Sequence, residues 1–150
     1  CHAMDNNYFE RGKQVLEENF GHMVEMCLAS TANNNLSIRD LHAVYIDGKV
    51  YVLSRNGNKL MHDIAICPNV ALCHGPHSML GTARSIGHPA EPQNALIRKR
   101  LKREFSLDYD EYVEITLTHA ETYTRYHHYD IDFVAQTAVR DHTQPAFIYR

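Results

Sequence analysis

Apolar positions along the 150-residue chain fall into short runs of two different periods. In residues 6–20, Phe9, Leu16 and Phe20 share one face of a 3.6-residue repeat, with glutamates and a lysine opposite, which predicts an amphipathic helix. Val24 to Ala32 (VEMCLASTA) is mostly apolar and reads as a buried strand. Asn33-Asn34-Asn35 follows as a turn, because asparagine tolerates left-handed backbone geometry. Leu36 to Ile46 predicts a second strand, Asp47-Gly48 a hairpin turn, and Lys49 to Ser54 its antiparallel return. A loop at 55–58 leads into a short helix with Leu60, Ile64 and Cys67 on one face, ended by Pro68-Asn69. Val70 to His74 and Met79 to Ile86 predict two more strands around Gly75-Pro76. Pro89 to Phe105 predicts a helix on Ile97, Leu101 and Phe105. Val113, Ile115 and Leu117 alternate with Glu114, Thr116 and Thr118, the period of a half-buried strand. One more strand, through Tyr123 and Tyr126 to about Val134, and a weakly patterned tail complete the chain.

Strands joined by hairpins, without regular strand–helix alternation, predict a mainly β, antiparallel, Greek-key-like small barrel with flanking helices. Residues 1–150 read as one domain, with Cys1-His2-Ala3 ahead of Met4 read as an added remnant or an extended start and left out of the fold. Hydrophobic content of 44% and charged content of 22% are ordinary for a soluble domain. A net charge of -3 argues against a nucleic-acid partner, and no apolar run is long enough to span a membrane. With no signal peptide ahead of the first charges and cysteines 27, 67 and 73 in or beside apolar runs, the expectation is a cytoplasmic protein with reduced thiols.

The stretch YVLSRNGNKLMHDI, residues 51–64, carries the candidate chemistry. A strand runs into Arg55-Asn56-Gly57-Asn58, and Lys59 opens a helix at once. A helix start offers free backbone N–H groups and the positive end of the helix dipole, which together hold an anion. Lys59 at that start and Arg39 on a neighbouring strand would add charge-assisted bonds. Taken alone, both cations also read as solvated surface charges, and Arg55 either points to water or joins them.

The order of elements resembles the FMN-binding split barrel of pyridoxamine 5'-phosphate oxidase and its short, general-stress-protein-like relatives, over roughly residues 22–118. RNGNK is similar to that family's phosphate loop, CPNVALC to its N-P-x-V-x-L segment and MLGTARSI to its G-x-A strand. The resemblance implies a six-stranded split β-barrel that binds FMN outside the barrel, in a cleft between the subunits of a homodimer. It places Arg39, with Asp40 and Leu41 beside it, at the flavin phosphate or ribityl chain, Val52, Leu53 and Ser54 along the isoalloxazine, and Asn58 and Lys59 at the phosphate. It implies an FMN-dependent oxidoreductase acting on a small molecule, with no catalytic side chain identifiable. The alternative is a non-catalytic split-barrel module that holds flavin, deazaflavin or haem. The loop ending Gly57-Asn58-Lys59 is one cation poorer than the family pattern, and the family's C-terminal arginine motif is replaced by QPAFIYR, so a vitamin substrate is not supported.

The remaining motifs carry less. Cys73-His74-x-x-His77 with Cys67 upstream matches no zinc spacing, so no metal is expected. Cys67-Pro68 admits haem only weakly, without a Cys-x-x-Cys-His motif. The basic run Arg98 to Arg103 reads as the solvated side of an amphipathic helix. No P-loop, dinucleotide fingerprint or nucleophile elbow occurs.

Overall fold

Asp47 and Gly48 take φ of 45° and 82°, the two left-handed residues that a two-residue hairpin turn requires. Asn33 and Asn34 repeat the device at φ 52° and 66°, so that turn is two residues and the next strand starts at Asn35. In a computed structural model of the chain, describing residues 2–55, 57–105 and 111–141 with side chains from Tyr8 onward, these turns open an antiparallel barrel. In chain order the elements are α1 (His2–Phe20), β1 (Val24–Ala32), β2 (Asn35–Ile46), β3 (Lys49–Ser54), α2 (Lys59–Ile66), β4 (Asn69–His74), β5 (His77–Gly87), α3 (Ala95–Leu101), β6 (Glu111–Tyr123), β7 (His128–Asp132) and β8 (Thr137–Arg140). Cys1, Asn56 of the predicted loop and the QPAFIYR tail lie outside the described residues.

Two meanders, β1–β3 and β4–β6, are joined by α2. The hydrogen-bonded order β3-β2-β1-β4-β5-β6 closes because β6 also pairs with β3. This is the six-stranded antiparallel split barrel expected of the sequence. Period two fills its interior: Met26 and Leu28, Ala43 and Tyr45, Val50 and Val52, Val70 and Leu72, Val113 and Ile115 all face inward and are buried. Leu60 and Ile64 of α2 join this core, as do Phe9, Leu16 and Phe20, the predicted face of α1. The two helices pack toward opposite ends of β2: α2 near Arg39, α1 near Tyr45.

α1 starts at His2, ahead of the expected start at residue 6 and including His2 and Ala3, and two later elements differ more widely from expectation. The helix predicted from Pro89 to Phe105 shrinks to α3, preceded by a 3-10 turn at Pro92–Asn94. Pro92 opens that turn, and Asn94 ties it down by donating to the carbonyls of Ile86 (2.9 Å) and His88 (3.0 Å). The predicted face survives, since Leu101 and Phe105 pack with Val44, Tyr51 and Tyr112 in a second core outside the barrel wall. The single strand expected through Tyr123 and Tyr126 is instead the end of β6 followed by β7 and β8, two strands added beside the barrel. Thr124 makes the break, its hydroxyl accepting from the amides of Tyr126 (3.3 Å) and His127 (2.9 Å).

At the β4–β5 turn, His77 lies edge-on to Phe20, with ring centroids 5.1 Å apart, and its Nδ1 accepts from the Tyr123 amide at 3.3 Å. Burial, and then neighbouring His74, pushes the His77 imidazole below its ordinary value of 6.5. Its contribution to stability is therefore complete above that pH and is lost as the pH falls below it, since the unfolded chain protonates first. Urea midpoints are expected to drop as the pH falls below about 6.5, and His77→Gln should flatten the drop. An unchanged pH slope in that variant would assign the effect to other histidines.

Candidate functional site

The β2–β3 ladder stops early. Ala43 faces Val52 as the last register pair, and beyond it Leu53 and Ser54 pair only with Tyr112 and Glu111 of β6. The parting strands leave a cleft of about 310 Å³, lined by Arg39, Asp40 and Leu41 on one side and Leu53, Ser54 and Arg55 on the other. Asn58, Lys59 and Leu60 close its end. The structure thus brings Arg39, Asp40, Leu41, Leu53, Ser54, Asn58 and Lys59 together. Val52 is the exception: its side chain is fully buried in the barrel interior and its position is paired on both flanks, so it does not line the cleft.

The floor of the cleft follows from the turn into α2. Gly57 takes φ +77°, which an L side chain rarely adopts, and reverses the chain after β3. Asn58 caps α2: its side chain accepts from the Met61 amide at 2.9 Å and donates to Ser54 Oγ at 2.9 Å. Lys59, the first helical residue, bonds through Nζ to Asp63 one turn on. Asp63 is fully buried and accepts from Ser30 Oγ at 2.7 Å. Arg39 reaches the same cluster, donating to Ser30 Oγ at 2.9 Å and the Leu28 carbonyl at 3.2 Å, with Nη2 3.9 Å from Asp63.

Two cations therefore converge on one buried carboxylate. The Lys59 bond, the Ser30 hydroxyl and the charge of Arg39 hold Asp63 below the usual carboxylate range. Arg39, Arg55 and Lys59 against Asp40 and Asp63 leave a net positive charge at the cleft, and Asp63 gives Arg39 and Lys59 a fixed position. Asp63 and Ser30 are absent from the sequence reading. Lys59 and Asp63 stand four apart in a helical run, a readable signal for a side-chain pair. Ser30 had none, because only the register of β1 shows that it points inward with Met26 and Leu28.

A second polar cluster lies on the outer wall. Glu114 accepts from Tyr51 at 2.9 Å and from Arg84 Nε and Nη2 at 3.1 and 2.9 Å, beside a cleft of about 740 Å³ under α3. Burial and the Glu114 bond push the Tyr51 phenol up. This network is internally satisfied and holds α3's side of the barrel. The basic run of α3 is anchored to the end of α1, with Arg100 donating to the Gly21 carbonyl at 2.7 Å. Among the described residues, no three His, Cys, Asp or Glu side chains come together as a metal site.

The sheet face next to the cleft is apolar and open. Register places Ile38, Ala29, Ala71 and Leu80 in one row across β2, β1, β4 and β5. Leu36, Ile38 and Leu80 on this face are 85%, 70% and 50% exposed. Isolated exposed apolar side chains are common on protein surfaces; here they share one register row.

No family model matches the chain, and no curated protein sequence matches it. Solved structures do. General stress protein 26 from Bacillus anthracis superposes with a TM-score of 0.55 at 17% identity, over 72% of this chain and 90% of that one. A protein related to general stress protein 26, of the pyridoxinephosphate oxidase family, from Clostridium acetobutylicum gives 0.54 at 12% identity over 88% and 99%. An FAD-binding protein from Mesorhizobium loti gives 0.52 at 19% identity over 73% and 87%. No helix among the described residues is long and apolar enough to cross a membrane. The closed six-strand barrel, its α2 crossover and these superpositions agree: the chain has the split-barrel fold of the general stress protein 26 and pyridoxine-phosphate-oxidase-like proteins.

Proposed function

We propose that this chain is an FMN-binding flavoprotein, an oxidoreductase for a small molecule, working as a cytoplasmic homodimer. The observation that carries the reading is the gap between β2 and β3, with Lys59 and Arg39 converging at its floor on Asp63. A phosphate monoester is close to a dianion at neutral pH. It would meet Lys59, Arg39 and the first free amides of α2, whose dipole has its positive end there. Leu41 and Leu53 give the flat ring system an apolar wall, and Leu53 and Ser54, freed from β2, leave backbone groups on that side for its polar edge. When bound, the flavin supplies the hydride or electron chemistry, and the protein binds, orients and shields it.

The exposed row of Ile38 and Leu80 is the surface on which a second copy would pack, covering the flavin from the far side. Free thiols at Cys27, Cys67 and Cys73 suit a reducing compartment. The test is titration of the purified chain with FMN and, separately, with riboflavin, which lacks the phosphate. We expect one FMN per subunit on a sedimenting dimer, bound about 100-fold or more tightly than riboflavin. Equal affinity for the two would remove the phosphate site, and no binding of either would remove the flavin reading. A bound flavin that accepts no electrons from nicotinamide or deazaflavin donors would assign the non-catalytic module instead, and a Soret band would assign haem.

A further inference from the structure

Cys27 of β1 and Cys73 of β4 stand directly opposite each other, the end pair of a ladder that continues through Leu28 with Leu72 and Ala29 with Ala71. Cα atoms so opposed lie about 4.5–5.5 Å apart, inside the span of about 4.4–6.8 Å that a disulfide tolerates. Side chains alternate along both strands: Met26, Leu28 and Leu72 are buried in the barrel, so both thiols stand on its outer face. Cys27 is half-buried there and Cys73 is exposed. Just past this end pair the His74 ring holds the Glu25 carbonyl at 2.8 Å in place of a ladder bond. A strand end outside the ladder can shift by the fraction of an ångström needed to bring two facing Cβ atoms into bridging range.

The surroundings give the two thiols different parts. Desolvation first, then Cys73 and the facing carboxylate of Asp40, push the Cys27 thiol above its ordinary value of 9.0. Cys27 is therefore protonated at neutral pH and slow toward solutes, whereas Cys73 is open to them. Cys67, the other free thiol among the described residues, sits at the end of α2 and belongs to no ladder. We infer that Cys27 and Cys73 form a reversible dithiol–disulfide pair that is oxidised by a small disulfide. The Cys73 thiolate attacks one sulfur of the oxidant and releases its first half as a thiol. Cys27 then attacks the Cys73 sulfur and releases the second half, closing the internal bridge. Two electrons pass to the small disulfide, and the two cysteine protons leave on its two thiols. Oxidation ties the first meander to the second at the end of the β1–β4 ladder. The pairing depends on strand register and is independent of the flavin reading.

The experiment is incubation of the reduced full chain with oxidised glutathione, followed by intact-mass measurement and peptide mapping. Wild type should lose the mass of two hydrogens, with Cys27 joined to Cys73, and dithiothreitol should restore the starting mass. Cys27→Ser should stop at a mixed disulfide of glutathione on Cys73, because the second attacking thiol is missing. Cys73→Ser should leave Cys27 reduced, and Cys67→Ser should oxidise as wild type does. The folded chain should close the bridge at least about tenfold faster than the chain in concentrated urea, where the two thiols are no longer held face to face. A bridge to any other cysteine, a bridge between two copies of the chain, wild type that stops at the mixed disulfide or does not react, or an equal rate in urea would each overturn the proposal.

Discussion

Replacing Gly81 by valine is expected to lower the melting temperature by about 10 °C, the result of about 3 kcal/mol of lost stability in a domain of this size. The position does not need a left-handed backbone. It needs space: a Cβ there would lie 2.6 Å from the Thr116 carbonyl oxygen and 2.8 Å from Ile115 Cγ2. Thr116 and Ile115 belong to β6, which pairs with β5 on one flank and β3 on the other, so the obstructing atom is backbone held on both sides. The β5–β6 register shifts between Leu80 and Gly81, and this close approach lets β6 bend there and close the barrel. Leu96→Ala, on α3 and 86% exposed, should change stability by no more than about 0.5 kcal/mol. Thermal melts of the two variants side by side make the comparison. If Gly81→Val melts with wild type, the strands have room to part and the tight seam has no structural role.

At the β2–β3 cleft the largest effect on FMN affinity should come from Lys59→Glu. The lysine side chain is 57% exposed, so the screened, high-dielectric regime applies. Two unit charges about 5 Å apart interact by about 0.8 kcal/mol in water, so reversing one charge opposite a dianion changes the energy by about 3 kcal/mol. That corresponds to about 100-fold in FMN affinity. The introduced carboxylate would also stand one turn from Asp63, a like-charge pair that loosens the first turn of α2. Riboflavin affinity should move little, since no phosphate meets the changed charge. Fluorescence quenching titrations of both ligands at two salt concentrations would read the outcome. The FMN preference of wild type should itself shrink as salt rises, and a loss of affinity equal for both flavins would show that the substitution unfolds the cleft rather than discharging it.

Much of this architecture could be read from local chemistry. Asp47-Gly48 sets a hairpin because two successive left-handed residues are cheap there and dear elsewhere. The alternation through Val113, Ile115 and Leu117 announced the inward face of β6, and the four-residue spacing of Ile97, Leu101 and Phe105 the apolar set that α3 and the turn after it bring to the outer core. Boundaries were less legible. α3 is shorter than its apolar spacing suggests because Pro92 and the Asn94 side chain impose a separate turn ahead of it. The Thr124 turn that divides β6 from β7 carries no glycine or proline to mark it.

The candidate site divides along the same line. The amino-acid order alone determined that a cationic, glycine-containing loop joins a strand to a helix start, because turn geometry and helix capping are settled within a few neighbouring residues. Only the tertiary structure decided which groups surround it. Arg39, Ser30 and Asp63 come from three separate elements, and they meet because the β1–β2 hairpin sets Arg39 beside Ser30 and α2 packs its Asp63 onto β1. The gap beyond Ala43 and Val52, which removes Val52 from the cleft and puts Leu53 in it, depends on where two strands stop pairing. Strand register and burial are properties of the whole packed barrel, so no stretch of sequence contains them.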